Sequence, residues 1–146
     1  MPSLCDVNVL LAVCYRRHLH HAVALRWLDT ITEDGDVIIC RFSQMAFLRL
    51  LNNPASMMGQ PLNASQVWHE YDTLMSDGRF TFRQEPEHIE TILRRLMAGK
   101  QIAPRIWPDA YLAAFAIAGQ MSLVTFDYGF RQFAGLDLQL LGDVSP

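Results

Sequence analysis

Residues Trp107 to Asp127 read WPDAYLAAFAIAGQMSLVTFD. The hydrophobic pattern changes character once within this stretch. Trp107–Gly119 is predicted to be a helix, with Pro108 suited to the first turn, where its missing N–H costs nothing. Ser122–Phe126 is short, apolar and rich in β-branched residues, the pattern of a buried strand. A helix that feeds directly into a buried strand is the repeating unit of an α/β fold. The strand then delivers Asp127, a carboxylate at the tip of an apolar element. The N-terminal stretch SLCDVNVLL, Ser3–Leu11, raises the same question, because Asp6 and Asn8 interrupt another apolar run.

Working outward, the chain alternates between the two patterns. Ser3–Asp6 reads as a short strand, followed by the apolar stretch Val7–Tyr15 and a helix from His20 to Thr32. Asp34–Asp36 (DGD) is a turn and Val37–Cys40 a second strand. Ser43 is suited to cap a helix through Leu51, stopped by Asn52–Pro54. Further helices are predicted over Ala64–Ser76 and Pro86–Ala98, with Phe80–Arg83 and Gln139–Leu141 as additional strands. No internal repeat or low-complexity segment appears. The expected architecture is a three-layer α/β/α sandwich around a mainly parallel sheet, formed by residues 1–146 as one domain.

Bulk properties narrow the function. The chain has 146 residues, 51% hydrophobic and 18% charged, with formal charge −3. That balance describes a compact protein and argues against tight, non-specific binding to duplex DNA. Apolar runs such as Val9–Tyr15 are too short to cross a bilayer, and no cleavable signal is expected. Cys5, Cys14 and Cys40 read as reduced thiols, so the expected location is the cytoplasm. The basic residues are eleven arginines and Lys100.

In parallel α/β sheets, ligands bind beyond the carboxyl ends of the strands. Asp6 ends the first strand, Asp127 follows the strand Ser122–Phe126, and Asp109 opens the helix before it. Taken singly, each has a structural reading of equal standing: Asp109 as a helix cap contributing about 1 kcal/mol, Asp127 as the opener of a turn. Taken together at one sheet edge, three carboxylates repel one another unless a cation lies between them. Hard oxygen ligands without a partnering Cys or His set suit Mg²⁺ or Mn²⁺. Such an ion activates water and neutralises charge on a phosphoryl group.

The ordered set LCDVNVLLAV, FSQMAFLRLLNNPA and WPDAYLAAFAIAGQMSLVTFDYGF resembles the PIN-domain ribonucleases, in particular the VapC-type toxins of bacterial toxin–antitoxin pairs. The resemblance runs from Ser3 to about Leu141. It implies that Asp6, Asp109 and Asp127 are the catalytic, metal-holding acids. Asn8 matches a neighbouring polar position, and Thr125 the hydroxyl of the T-x-D segment. It further implies metal-dependent endoribonuclease activity leaving 5′-phosphate and 3′-hydroxyl ends, a small antitoxin partner and a homodimer. This chain departs from the pattern at Gln44, where many members carry glutamate, and at Gly129, where many carry a further acid. Gln44 is expected to support the ion through its carbonyl oxygen or a water.

Other features carry competing readings. Arg41 and Arg49 flank Gln44 and are candidates to hold RNA phosphate oxygens, or equally are surface residues. The HLHH segment, His18–His21, lacks a further ligand at a fixed offset and reads as a solvated helix start. Trp107 either stacks on a base or anchors its loop; Met57, Met58 and Trp68 read as packing or partner surface. Two rival functions remain at this point. One is a phosphatase or phosphotransferase using Asp6 as nucleophile in D-x-N, for which Lys100 is the sole lysine and no G-D-x-x-x-D follows. The other is a PIN scaffold without catalysis, motivated by Gln44 and Gly129.

Overall fold

The computed structural model describes residues 1–101 and 103–142. Five strands form one sheet: β1 (Ser3–Cys5), β2 (Val37–Ile39), β3 (Phe80–Phe82), β4 (Ser122–Thr125) and β5 (Leu138–Leu140). Their order across the sheet is β3-β2-β1-β4-β5, and every neighbouring pair is parallel. β1 is therefore central: Leu4 lies opposite Ile38 on one side and Leu123 on the other. β1, β2 and β4 are buried along their full length, which is why they read as continuous apolar runs rather than alternating ones.

Successive residues on each strand face opposite layers. Leu4, Ile38 and Leu123 pack with α5 (Ile89–Met97) and α6 (Ile106–Ala118), chiefly through Phe115, Leu112 and Leu96. Cys5, Val37, Ile39 and Val124 face the other layer. There α1 (Val7–Cys14), α2 (His21–Asp29), α3 (Arg41–Leu51) and α4 (Ala64–Met75) contribute Val9, Leu10, Trp27, Phe47 and Val67. The result is the expected α/β/α sandwich. A polar chain ties its layers together: Trp27 Nε1 donates to Gln139 Oε1 (3.2 Å), Gln139 Nε2 to Ser122 Oγ (3.2 Å), and Ser122 Oγ meets Ser3 Oγ at 2.9 Å. Arg79 donates to the Leu28 carbonyl (2.9 Å) and pairs with Asp77, fixing the end of α2 against the start of β3.

Local signals set most element ends. Asp6 caps α1, and Asn63 with Gln66 forms a reciprocal capping box on α4. Two expectations need correction. α3 starts at Arg41, directly after β2, with Cys40 as its cap residue. Ser43 thus falls inside the first turn, buried, with Oγ 3.0 Å from Cys40 Sγ, and caps nothing. The helix expected from Pro86 begins at Ile89, because His88 precedes it in the left-handed region at φ 67°. The three cysteines are unpaired; burial pushes the Cys5 thiol well up and the Cys14 thiol to about 12. Among the described residues no helix is long and apolar enough to cross a membrane.

Candidate active site

The chain builds outward from β1 to β2 and β3, then returns to place β4 and β5 on the other side. The order therefore reverses between β1 and β4, the switch point beyond whose strand ends parallel α/β sheets bind ligands. Asp6 and Asp127 stand there, one after each strand. Both keep a structural duty. Asp6 caps α1, its Oδ1 accepting from the Val7 N–H at 2.7 Å. Asp127 opens a short 3-10 turn, Tyr128–Gln132, its Oδ1 accepting from the Gly129 N–H at 2.8 Å.

Thr125 joins the two. Its hydroxyl donates to Asp6 Oδ2 at 2.7 Å and accepts from the Asp127 N–H at 3.0 Å and from Asn8 Nδ2 at 3.5 Å. With the Thr125 proton committed to Asp6, the Asn8 amide must offer its NH₂ to Thr125. Its Oδ1 then lies buried with no partner, an acceptor with unused capacity beside the carboxylates.

Asp109 comes from the other layer. α6 starts at Ile106 after Arg105, so Asp109 sits in the first turn and is not the cap. Burial, followed by the charges of Asp127 and Asp6, pushes its carboxyl up to about 6. Burial likewise raises Asp6, against the hydrogen bonds from Thr125 and Val7, with Asp127 adding to the rise. Each shift has the sign of charge held in poor solvation beside like charge. The three carboxylates share one rim and sense one another. Among the described residues, no three Asp, Glu, His or Cys side chains close on a single point. Hard oxygen donors, mutual repulsion and the orphaned Asn8 oxygen together suit a divalent cation.

The other candidates fall in different places. Gln44 is buried in the first turns of α3, and its Oε1 is engaged by Arg41 Nη1. Arg41 also lies over the Phe82 ring, 4.6 Å from its centroid. Arg49 is not brought to the rim. It lies roughly 12 Å further along the helix axis, lining a groove with Met45, Leu48 and Trp68. The histidines serve local structure: His18 Nδ1 accepts from the His20 N–H, and His21 Nδ1 meets the Ala12 carbonyl at 2.6 Å. His20 stacks on Phe126, the residue before Asp127 in the chain, with centroids 4.6 Å apart. At Gly129, an added Cβ would approach Asp127 Oδ1 to 3.1 Å, so the glycine leaves room for that carboxylate's turn. Sequence reasoning missed a cleft at the same edge lined by Arg41, Phe82, Arg83, Glu85 and Tyr111. Nothing in the local sequence around Glu85 announces it.

A five-stranded parallel sheet with carboxylates gathered at its switch point is a PIN-like arrangement. The chain belongs to the PIN domain family, whose model matches residues 3–136. It is 39% identical over 143 residues to ribonuclease VapC41 of Mycobacterium tuberculosis, covering 94% of this chain and 97% of that one. It is 32% identical over 134 residues to ribonuclease VapC44 of the same organism, with 87% of each chain covered. Among solved structures it resembles VapBC2 from Rickettsia felis bound to a promoter DNA fragment, with a TM-score of 0.71 at 15% identity over 97% of this chain and 100% of that one. It also resembles Mycobacterium tuberculosis VapC20, a toxin that cleaves the sarcin–ricin loop, with a TM-score of 0.65 at 16% identity, covering 92% and 95%. At such identities these two structures speak to the fold.

Proposed function

We propose that this chain is a metal-dependent endoribonuclease acting as the toxin of a type II toxin–antitoxin pair, working as one PIN domain in the cytoplasm. The observation that carries the reading is the match to ribonuclease VapC41 along nearly the whole of both chains. Asp6, Asp109 and Asp127 would hold Mg²⁺ or Mn²⁺, with the Asn8 carbonyl oxygen in support. When bound, the ion supplies charge neutralisation at a phosphodiester and a more acidic water. The chain's own residues do the positioning. Thr125 fixes the Asp6 carboxylate and the Asp127 backbone relative to each other. The Gly129 N–H holds the Asp127 carboxylate in its turn.

The partners that follow from this reading are RNA as substrate, a small antitoxin protein and a second copy of the chain. Asp6 as a covalent nucleophile fits less well, since it is 6% exposed and both its oxygens accept hydrogen bonds. A scaffold without catalysis draws support from Gln44, whose side-chain oxygen is taken by Arg41. Incubating the purified chain with total RNA in Mg²⁺ or Mn²⁺, with and without EDTA, separates the readings. The ribonuclease reading expects metal-dependent cleavage and 5′-phosphate ends. Cleavage in EDTA leaving 2′,3′-cyclic phosphates, or no cleavage by the antitoxin-free protein, overturns it.

A further inference from the structure

A cleft of about 210 Å³ lies beside the acidic rim, where α3 begins, β3 ends and α6 passes over them. Two strand spacings separate the tip of β3 from that of β1, roughly 10 Å. The floor of the cleft is pre-ordered. The Arg41 guanidinium lies over Phe82, with its carbon 4.6 Å from the ring centroid, and Gln44 Oε1 holds its orientation. Across from it, Tyr111 donates its hydroxyl proton to Glu85 Oε2 at 2.8 Å and packs against Phe42 at 5.5 Å between centroids. Arg83 is exposed at the mouth. Ion pairs among the described residues form at Arg79–Asp77 and Arg94–Glu90, and neither guanidinium of the cleft belongs to one.

Planar cation, aromatic face and uncommitted positive charge are what a single nucleotide requires. Bases of unpaired RNA stack on aromatic rings and guanidinium planes, and phosphates are held by arginine. We propose that this cleft receives an unpaired nucleotide of single-stranded RNA: its base stacks on the Arg41–Phe82 platform, its phosphate meets Arg83, and Glu85 accepts from the base's amino edge. The inference rests on the ribonuclease reading for the identity of the ligand. It also carries a selectivity. Adenine and cytosine present an exocyclic amino donor to a carboxylate. Uracil offers one ring N–H between two carbonyl oxygens, which repel Glu85.

Binding of fluorescein-labelled oligo(C), oligo(A) and oligo(U) to full-length Asp127→Asn protein in Mg²⁺, followed by anisotropy, tests this without turnover. Oligo(C) and oligo(A) are expected to bind more tightly than oligo(U). Phe82→Leu is expected to weaken binding about tenfold, within the range for loss of one base–aromatic stack. The exposed Arg83→Ala, which leaves the core untouched, should weaken it for all three oligomers. Glu85→Gln should narrow the preference over oligo(U). Oligomer affinities that stay within about twofold across these variants, or competition by duplex RNA equal to that of single strands, overturn the proposal. So does binding of an acidic polyglutamate peptide with none of RNA. If the wild type binds RNA through the cleft yet cuts none, the nucleotide site stands and the ribonuclease reading falls.

Discussion

The Thr125 hydroxyl donates to Asp6 Oδ2 at 2.7 Å, joining the carboxyl ends of β1 and β4 across the switch point of the sheet. Thr125 is fully buried, and it accepts from the Asp127 amide as well. One hydroxyl therefore sets two of the three acids. Thr125→Val keeps the shape and removes both interactions, leaving a buried carboxylate oxygen without a donor. A loss of about 1–3 kcal/mol is expected in urea unfolding, together with weaker Mg²⁺ binding. Thr125→Ser should restore most of both. Equal metal affinity in Thr125→Val and the wild type would remove the hydroxyl from the site.

Asp6→Asn, Asp109→Asn and Asp127→Asn should each abolish RNA cleavage while the far-ultraviolet circular dichroism stays unchanged. In EDTA Asp109→Asn and Asp127→Asn should melt above the wild type, because each removes one member of a mutually repelling set, whereas Asp6→Asn also gives up one of the two hydrogen bonds that its carboxylate accepts. Addition of Mg²⁺ or Mn²⁺ should raise the melting temperature of the wild type and not theirs. A variant that cleaves at the wild-type rate takes its residue out of the mechanism.

The raised carboxyl of Asp109 predicts a pH dependence of definite sign. Its folded value, about 6, lies above its ordinary value of 3.8. The folded state thus binds more protons than the unfolded state between those values, and stability falls as pH rises through that window. Asp77, held low by Arg79, acts in the opposite sense, gaining stability above the ordinary value and losing it in acid. Comparison with Asp109→Asn isolates the effect. In EDTA, the wild type should lose more stability than Asp109→Asn between about pH 4 and pH 6.5, and Mg²⁺ should shrink the difference. Parallel curves for the two proteins would contradict the assignment.

Gln44 leads to a paired prediction. A glutamate there would offer a carboxylate to the ion, and from sequence alone Gln44→Glu is expected to tighten metal binding. In the folded protein Arg41 already donates to the side-chain oxygen. The new carboxylate would meet Arg41 first, so Gln44→Glu alone should change Mg²⁺ affinity little. Gln44→Glu with Arg41→Met should raise it. Calorimetric titration of the two variants reads the difference, and a large gain in the single variant would show that Arg41 does not compete.

Much of this molecule was written locally. The periods of its apolar residues marked a helix over Trp107–Gly119 and a strand over Ser122–Phe126, within a residue of the observed Ile106–Ala118 and Ser122–Thr125, and strand ends alone brought Asp6 and Asp127 to one edge. Asn63 and Gln66, three residues apart, carry the capping box of α4 by themselves. These features depend on neighbours in the chain, and a sequence displays neighbours. Three matters depended on residues far apart. Ser43 looks like a cap and is a buried residue, because β2 runs straight into α3 and shifts the start of the helix. Arg41 and Arg49 share a helix, yet only Arg41 reaches the rim cleft; the helix axis carries Arg49 toward α4. Glu85 and Tyr111 meet because a loop after the edge strand passes beneath α6. Hydrogen-bond partners of that kind are chosen by the order in which strands join the sheet, and that order is settled by burial of the whole core rather than by any short stretch.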